Sequence, residues 1–171
     1  MSNKKYLNQF TKEQLIEQII DLATKYKEVK AYYKFHQKPN SQELKNKYIK
    51  QIHKAIMGSR SLEIAKIKNA INAFTKLSPN PEDLIEVILF FVSTSGKYLS
   101  RFGYINKPFY PAIDTYYKQA AGLINEWGLH KQFLESAYKA IEEFYDLAPH
   151  LYNSLNDTYI NWIEIDREEE E

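Results

Sequence analysis

The stretch Ser78-Pro79-Asn80-Pro81-Glu82-Asp83-Leu84-Ile85-Glu86-Val87-Ile88-Leu89-Phe90-Phe91-Val92 decides the fold of this 171-residue chain. Asn80 suits a helix N-cap, because its side-chain oxygen can accept from a free backbone N–H in the first turn. Pro81 suits the first helical position, where no N–H is needed. Glu82 and Asp83 fall at the positive end of the helix dipole. The run from Leu84 to Val92 is apolar nearly all round, so this helix must meet neighbours on several sides and belongs at the centre. Nine residues rise about 13.5 Å against a hydrocarbon core of about 30 Å, and Glu86 interrupts them, so the run is a buried helix and not a membrane span. Ser93-Thr94-Ser95-Gly96 forms helix weakly and is expected to kink or end it. Tyr98, Leu99 and Phe102 then resume the pattern, and Gly103 closes it.

Working outward, Thr11-Lys12-Glu13-Gln14 has the form of a capping box. Leu15, Ile16, Ile19, Ile20, Leu22, Ala23, Tyr26, Val29 and Tyr33 follow at three- and four-residue steps, which predicts one long first helix ended by Lys38-Pro39-Asn40-Ser41. A second helix runs from Gln42 to Met57 with Leu44, Tyr48, Ile52, Ala55 and Ile56 in phase, and stops at Gly58. A third, capped by Ser59 or Ser61, carries Ile67, Ala70, Ile71 and Phe74 to Leu77. After Lys107-Pro108 a fifth spans Phe109 to Trp127 and ends at Gly128; a sixth spans His130 to Leu147. Pro149 either kinks that helix or starts a seventh bearing Leu151, Leu155, Tyr159, Trp162 and Ile163.

No segment alternates at period two, so strands are not supported. The expectation is an all-α chain of six or seven antiparallel helices, arranged as a helical bundle or a short α-α solenoid of HEAT/armadillo type. It forms a single domain over 1–165, followed by a disordered acidic tail, 166–171.

Composition narrows the function. There is no cysteine, which excludes disulfides, zinc–thiolate sites and thiol nucleophiles. The start has two lysines but no apolar run of signal-peptide length, which points to the cytoplasm. The net charge of +1 conceals a dipolar chain. Residues 25–76 hold thirteen Lys+Arg against three acids, net +10, and residues 77–171 hold seven against sixteen, net −9.

Phe102-Gly103-Tyr104-Ile105-Asn106-Lys107-Pro108-Phe109-Tyr110, with the Thr11–Ile16 helix start and the Asn80-Pro81 turn, resembles an uncharacterised family of small bacterial all-helical proteins, a domain of unknown function. The resemblance covers Leu7 to Tyr159 and implies no activity, cofactor or catalytic residue. The chain departs from the family at Met57-Gly58-Ser59-Arg60-Ser61, where a Lys/Arg/Gly-rich stretch is expected, and this weakens any anion-binding role for that turn.

Two groups of residues are candidate sites. Lys47, Lys50 and Lys54 fall within about 60° on the second helix, away from its apolar stripe, and with Arg60 and Lys68 could contact phosphates. A plain solvated lysine face is the weightier alternative, and the excess of lysine over arginine argues against base-specific readout. Tyr98, Arg101, Tyr104, Phe109 and Tyr110 gather at a helix junction able to form a pocket or groove; the alternative is a packed aromatic clamp. Most other aromatics, including Phe74, Phe90, Phe91, Phe133, Phe144 and Trp162, have core spacing. The histidines are scattered, and no nucleophile or phosphate-loop motif is present. Asp146 and His150 would share a face with Glu142 only if the helix ran through Pro149. The sequence therefore points to a cytoplasmic, non-enzymatic module without metal or cofactor, which binds a protein, another or itself. Nonspecific nucleic-acid binding is the alternative and a small-ligand pocket at 98–110 the third; no membrane is expected.

Overall fold

Nine helices and no strand make up the regular structure of the residues that the computed structural model describes, 3–37, 41–58, 62–77, 79–104 and 108–164. The all-α expectation holds, but the number exceeds six or seven for two reasons. A short helix α1, Asn3–Leu7, precedes the capping box, and the long first helix is two: α2, Lys12–Lys25, and α3, Lys27–Gln37. Tyr26 separates them with an extended backbone, φ −120° and ψ 117°. Its N–H still donates to the Leu22 carbonyl, and its own carbonyl accepts from Lys30, so one residue closes α2 and opens α3. No glycine, proline or asparagine marks this break.

The chain divides into two compact units, Met1–Asn40 and Ser41–Glu171. In the first, the capping box is formed as read: Thr11 Oγ1 accepts from the Gln14 N–H at 3.2 Å, and the Gln14 side chain accepts from the Thr11 N–H at 2.9 Å. α2 and α3 pack on each other, and Leu15, Ile19, Ala23, Val29 and Tyr33 are half-buried. No side chain of α2 is fully buried.

The second unit comprises α4, Ser41–Met57; α5, Ile64–Thr75; α6, Pro81–Phe102; α7, Phe109–Glu126; α8, His130–Glu142; and α9, Pro149–Trp162. α6 is central, packing against α4, α5, α7 and α8, while α9 packs on α7 and α8. Asn80 caps α6 by accepting from the Asp83 N–H at 2.9 Å, Pro81 is in the first turn, and Gly103 ends the helix at φ 69°. The polar run 93–96 does not end it: α6 continues to Phe102. The Ser95 hydroxyl donates back to the Phe91 carbonyl at 2.8 Å, so a buried polar group is satisfied within its own helix. Gly96 lies where the chain after α8 comes closest, and a Cβ built there would sit 2.7 Å from Glu143 Cβ and 3.3 Å from the Phe144 ring.

Two further boundaries and one burial differ from expectation. α5 begins at Ile64 after Glu63, without a side-chain cap, later than Ser59 or Ser61 would start it; 59–61 lie outside the described residues. α8 stops at Glu142 rather than Leu147, and Pro149 starts a new helix, so Glu142, Asp146 and His150 do not share one helix face. Trp162 is not core: it is 44% exposed. It lies across α7, where a Cβ at Gly122 would meet its ring at 3.6 Å. The acidic tail 166–171 lies outside the described residues.

Candidate binding surfaces

α4 carries two kinds of lysine. Lys45 falls in phase with Tyr48, Ile49, Ile52 and Ile56, three, four, seven and eleven residues on, which turns it into the core. There its ammonium pairs with Asp83 at 2.7 Å and with Glu86, both on the first turns of α6. The side chains of Lys45 and Asp83 are only 7% and 8% exposed, whereas that of Glu86 is 45% exposed. Burial pulls the Lys45 pKa down and is the largest single influence. The hydrogen bonds and charges of Asp83 and Glu86 together outweigh it, so the ammonium is held above its ordinary 10.5. The second oxygen of Asp83 is buried without a hydrogen-bond partner among the described residues.

Lys47, Lys50 and Lys54 project from the opposite side of α4 and are exposed. None of the three forms an ion pair with a described residue; Lys47 Nζ lies 5.9 Å from the centre of the Tyr48 ring. Beside this ridge a groove of about 550 Å³ opens between α4 and α5. Tyr48, Gln51 and Lys54 line one wall, and Glu63, Lys66 and Asn69 the other. Lys66 is already paired with Glu63 at 2.8 Å. Lys68 is two residues from Lys66, about 200° round the helix, so it is exposed on another flank and does not join the groove. Arg60 lies outside the described residues.

The 98–110 candidates separate by depth. Tyr98 and Phe109 are buried in the core, Phe109 against Phe91 with ring centroids 5.9 Å apart. Tyr110 is half-buried, and Arg101 and Tyr104 face solvent. The Arg101 guanidinium lies 5.3 Å from the centre of the Phe102 ring, itself 4.5 Å from that of Tyr98. None of these five residues lines the α4–α5 groove.

Two features were not picked out in the sequence. The Lys45–Asp83–Glu86 cluster had a signal, a lysine on an apolar stripe. The other is a seam of tyrosines at 138, 145, 152 and 159, whose signal is a seven-residue spacing. Among the described residues no group of three or more His, Asp or Glu could hold a metal ion, and no helix is long and apolar enough to cross a membrane.

These elements define an all-helical protein whose second unit is built round one central helix, with a buried ion cluster at that helix's start. The chain belongs to the family of unknown function DUF6155, whose model matches residues 1–159. That match agrees with the resemblance carried by the Phe102–Tyr110 segment. No curated protein and no solved structure matches the chain.

Proposed function

We propose that this chain is a protein-interaction module that works through the apolar face of its N-terminal helix pair, with an apolar helical surface of a partner protein as the occupant. One observation carries the reading: α2 has an apolar sector about 160° wide and no buried side chain, with Ile16 and Ile20 46% and 60% exposed. Only the middle of that sector is half-covered, by α3. A unit of this size cannot bury enough surface to hold itself together, because chains below about 40 residues usually need a staple or a partner. Burying Ile16, Ile20 and the flanking Leu22 on another protein supplies what is missing.

The architecture of the second unit supports the same reading. Its substantial packing joins each helix only to those one or two places along the chain, which fits a short α-α solenoid as well as a bundle, and folds of the former kind offer extended surfaces to partners.

The test is hydrogen exchange and crosslinking of the full chain, alone and in cell extract. The α2–α3 amides should exchange early in the isolated protein and become protected in the presence of a crosslinked partner. Ile16→Glu/Ile20→Glu should abolish that crosslink and protection while leaving the melting temperature of the second unit unchanged. The absence of any partner or self-association that depends on these two residues would overturn the proposal.

A second reading, nonspecific nucleic-acid binding, is favoured by the Lys47–Lys50–Lys54 ridge, which forms no ion pair among the described residues. Three phosphate contacts to a single strand should give a slope of about −2 in log K against log salt. Lys47→Glu/Lys50→Glu/Lys54→Glu should remove it, and binding insensitive to both salt and these changes would exclude the ridge.

A further inference from the structure

We propose that the seam between α8 and α9 is a second docking surface, which takes an arginine-bearing cationic segment of a partner protein. It lies in the second unit and does not rest on the role proposed for the N-terminal helix pair. Tyr138 and Tyr159 have ring centroids 5.4 Å apart, and Tyr145 and Tyr152 meet edge to face at 5.1 Å. The Tyr152 phenol has its pKa pushed up by burial first and then by the neighbouring Tyr138 and Tyr145, so the two pairs lie side by side, and the Tyr152 hydroxyl donates to Asn156 Oδ1 at 3.5 Å. The seam is graded in depth: Tyr159 is buried and Tyr152 half-buried, whereas Tyr138 and Tyr145 are exposed, Tyr145 at 62%. The inner rings hold the outer ones, which leaves aromatic surface facing solvent on a fixed base.

The charge beside it is mainly negative. Glu135 and Glu142 stand three residues before and four after Tyr138, on its side of α8. Glu143 and Asp146, in the turn that carries Tyr145, are exposed. Glu142 is close enough to Tyr152 for its charge to help push that phenol's pKa up, after the larger effect of burial. Residues 130–164 hold two lysines against six carboxylates, net −4; Lys139 and Glu135 pair with and offset each other, which leaves Glu142, Glu143 and Asp146 as the excess negative charge near the tyrosines. Tyrosine faces attract cations through the ring quadrupole, and carboxylates at their edge add hydrogen-bond acceptors. A guanidinium can stack on the ring and bond the carboxylate in the same pose, whereas an ammonium acts as a point charge. Arginine should therefore be preferred to lysine, and anionic partners repelled.

The full chain is titrated by calorimetry with hexa-arginine, hexa-lysine and hexa-glutamate peptides. The acidic residues 168–171 would also attract cations, so each titration is repeated with all four glutamates changed to glutamine. Hexa-arginine should bind about 3-fold or more tighter than hexa-lysine, with no binding of hexa-glutamate. Tyr145→Ala should weaken hexa-arginine about 3- to 10-fold, Tyr145→Phe should retain it, and Glu142→Gln should weaken it, with the same ratios in the glutamine background. Tyr145 is exposed, so an unchanged melting curve verifies that its alanine variant is folded. The proposal fails if hexa-arginine does not bind, if Tyr145→Ala binds as tightly as the parent, or if binding disappears with the four glutamates alone.

Discussion

Lys45→Ala is expected to lower the unfolding free energy by about 3–5 kcal/mol, a large part of the 5–15 kcal/mol typical of a folded domain. The reason is the partner left behind. Glu86 is near enough to the surface to hydrate once the ammonium is gone, but Asp83 is buried and one of its oxygens already has no partner. A carboxylate stranded there keeps its desolvation penalty without its counter-charge. Lys45→Met/Asp83→Asn removes both charges together and should recover most of the loss, because a buried pair is worth little more than well-packed neutral groups of similar size. Urea unfolding of the parent, Lys45→Met, Asp83→Asn and the double variant measures this coupling directly. A loss below about 1 kcal/mol for Lys45→Ala would class the pair with ordinary surface ion pairs and refute its structural role.

The same cluster sets an alkaline limit. A lysine whose pKa rises on folding contributes stability while the pH stays below its unfolded value, and loses it as the pH climbs through the folded one. Lys45 is raised, so the parent should lose stability above pH 10.5, and Lys45→Ala should lack that component.

Gly96→Val is expected to cost about 3 kcal/mol and Gly96→Ala about 1–2 kcal/mol net, although alanine is the better helix former by about 0.5–1 kcal/mol. The crowding wins because the atom in the way is Glu143 Cβ, fixed to the backbone, with the Phe144 ring behind it. Gly122→Ala, also inside a helix, should go the other way and stabilise by about 0.5–1 kcal/mol, since its new methyl would only touch the Trp162 ring at ordinary contact distance. Thermal or urea unfolding of the three variants decides the matter. Equal signs at positions 96 and 122 would show that helix propensity, not packing, governs both.

These contrasts show why part of the molecule was legible in its sequence. Asn80, Pro81 and Gly103 act within a turn of where they stand, so the ends of α6 could be read directly. The Thr11–Gln14 capping box was legible for the same reason. Tyr26 carries no such mark: its extended backbone divides a continuous apolar period into two helices, and only the packing of α2 on α3 reveals the division. Gly96 looked like a weak point in α6 because propensity is local, while the reason for a glycine there is a chain segment nearly fifty residues away. Trp162 kept core spacing on a helix whose packing leaves it across the rim of α7.

The candidate sites divide in the same way. That Lys47, Lys50 and Lys54 share an outward face follows from 100° per residue, and the structure places them there. That Lys68 stands on another flank of α5 from the groove, and that Tyr98 and Phe109 belong to the core, depends on which face each helix turns inward.

The sequence by itself determined an all-helical chain and the apolar helix at the centre of its larger unit, because caps and hydrophobic period act over three or four residues. Only the tertiary structure decided which lysine is buried, which glycine cannot grow and which tyrosines meet. Each of those depends on partners distant in the chain, as Lys45 does on Glu86, 41 positions away.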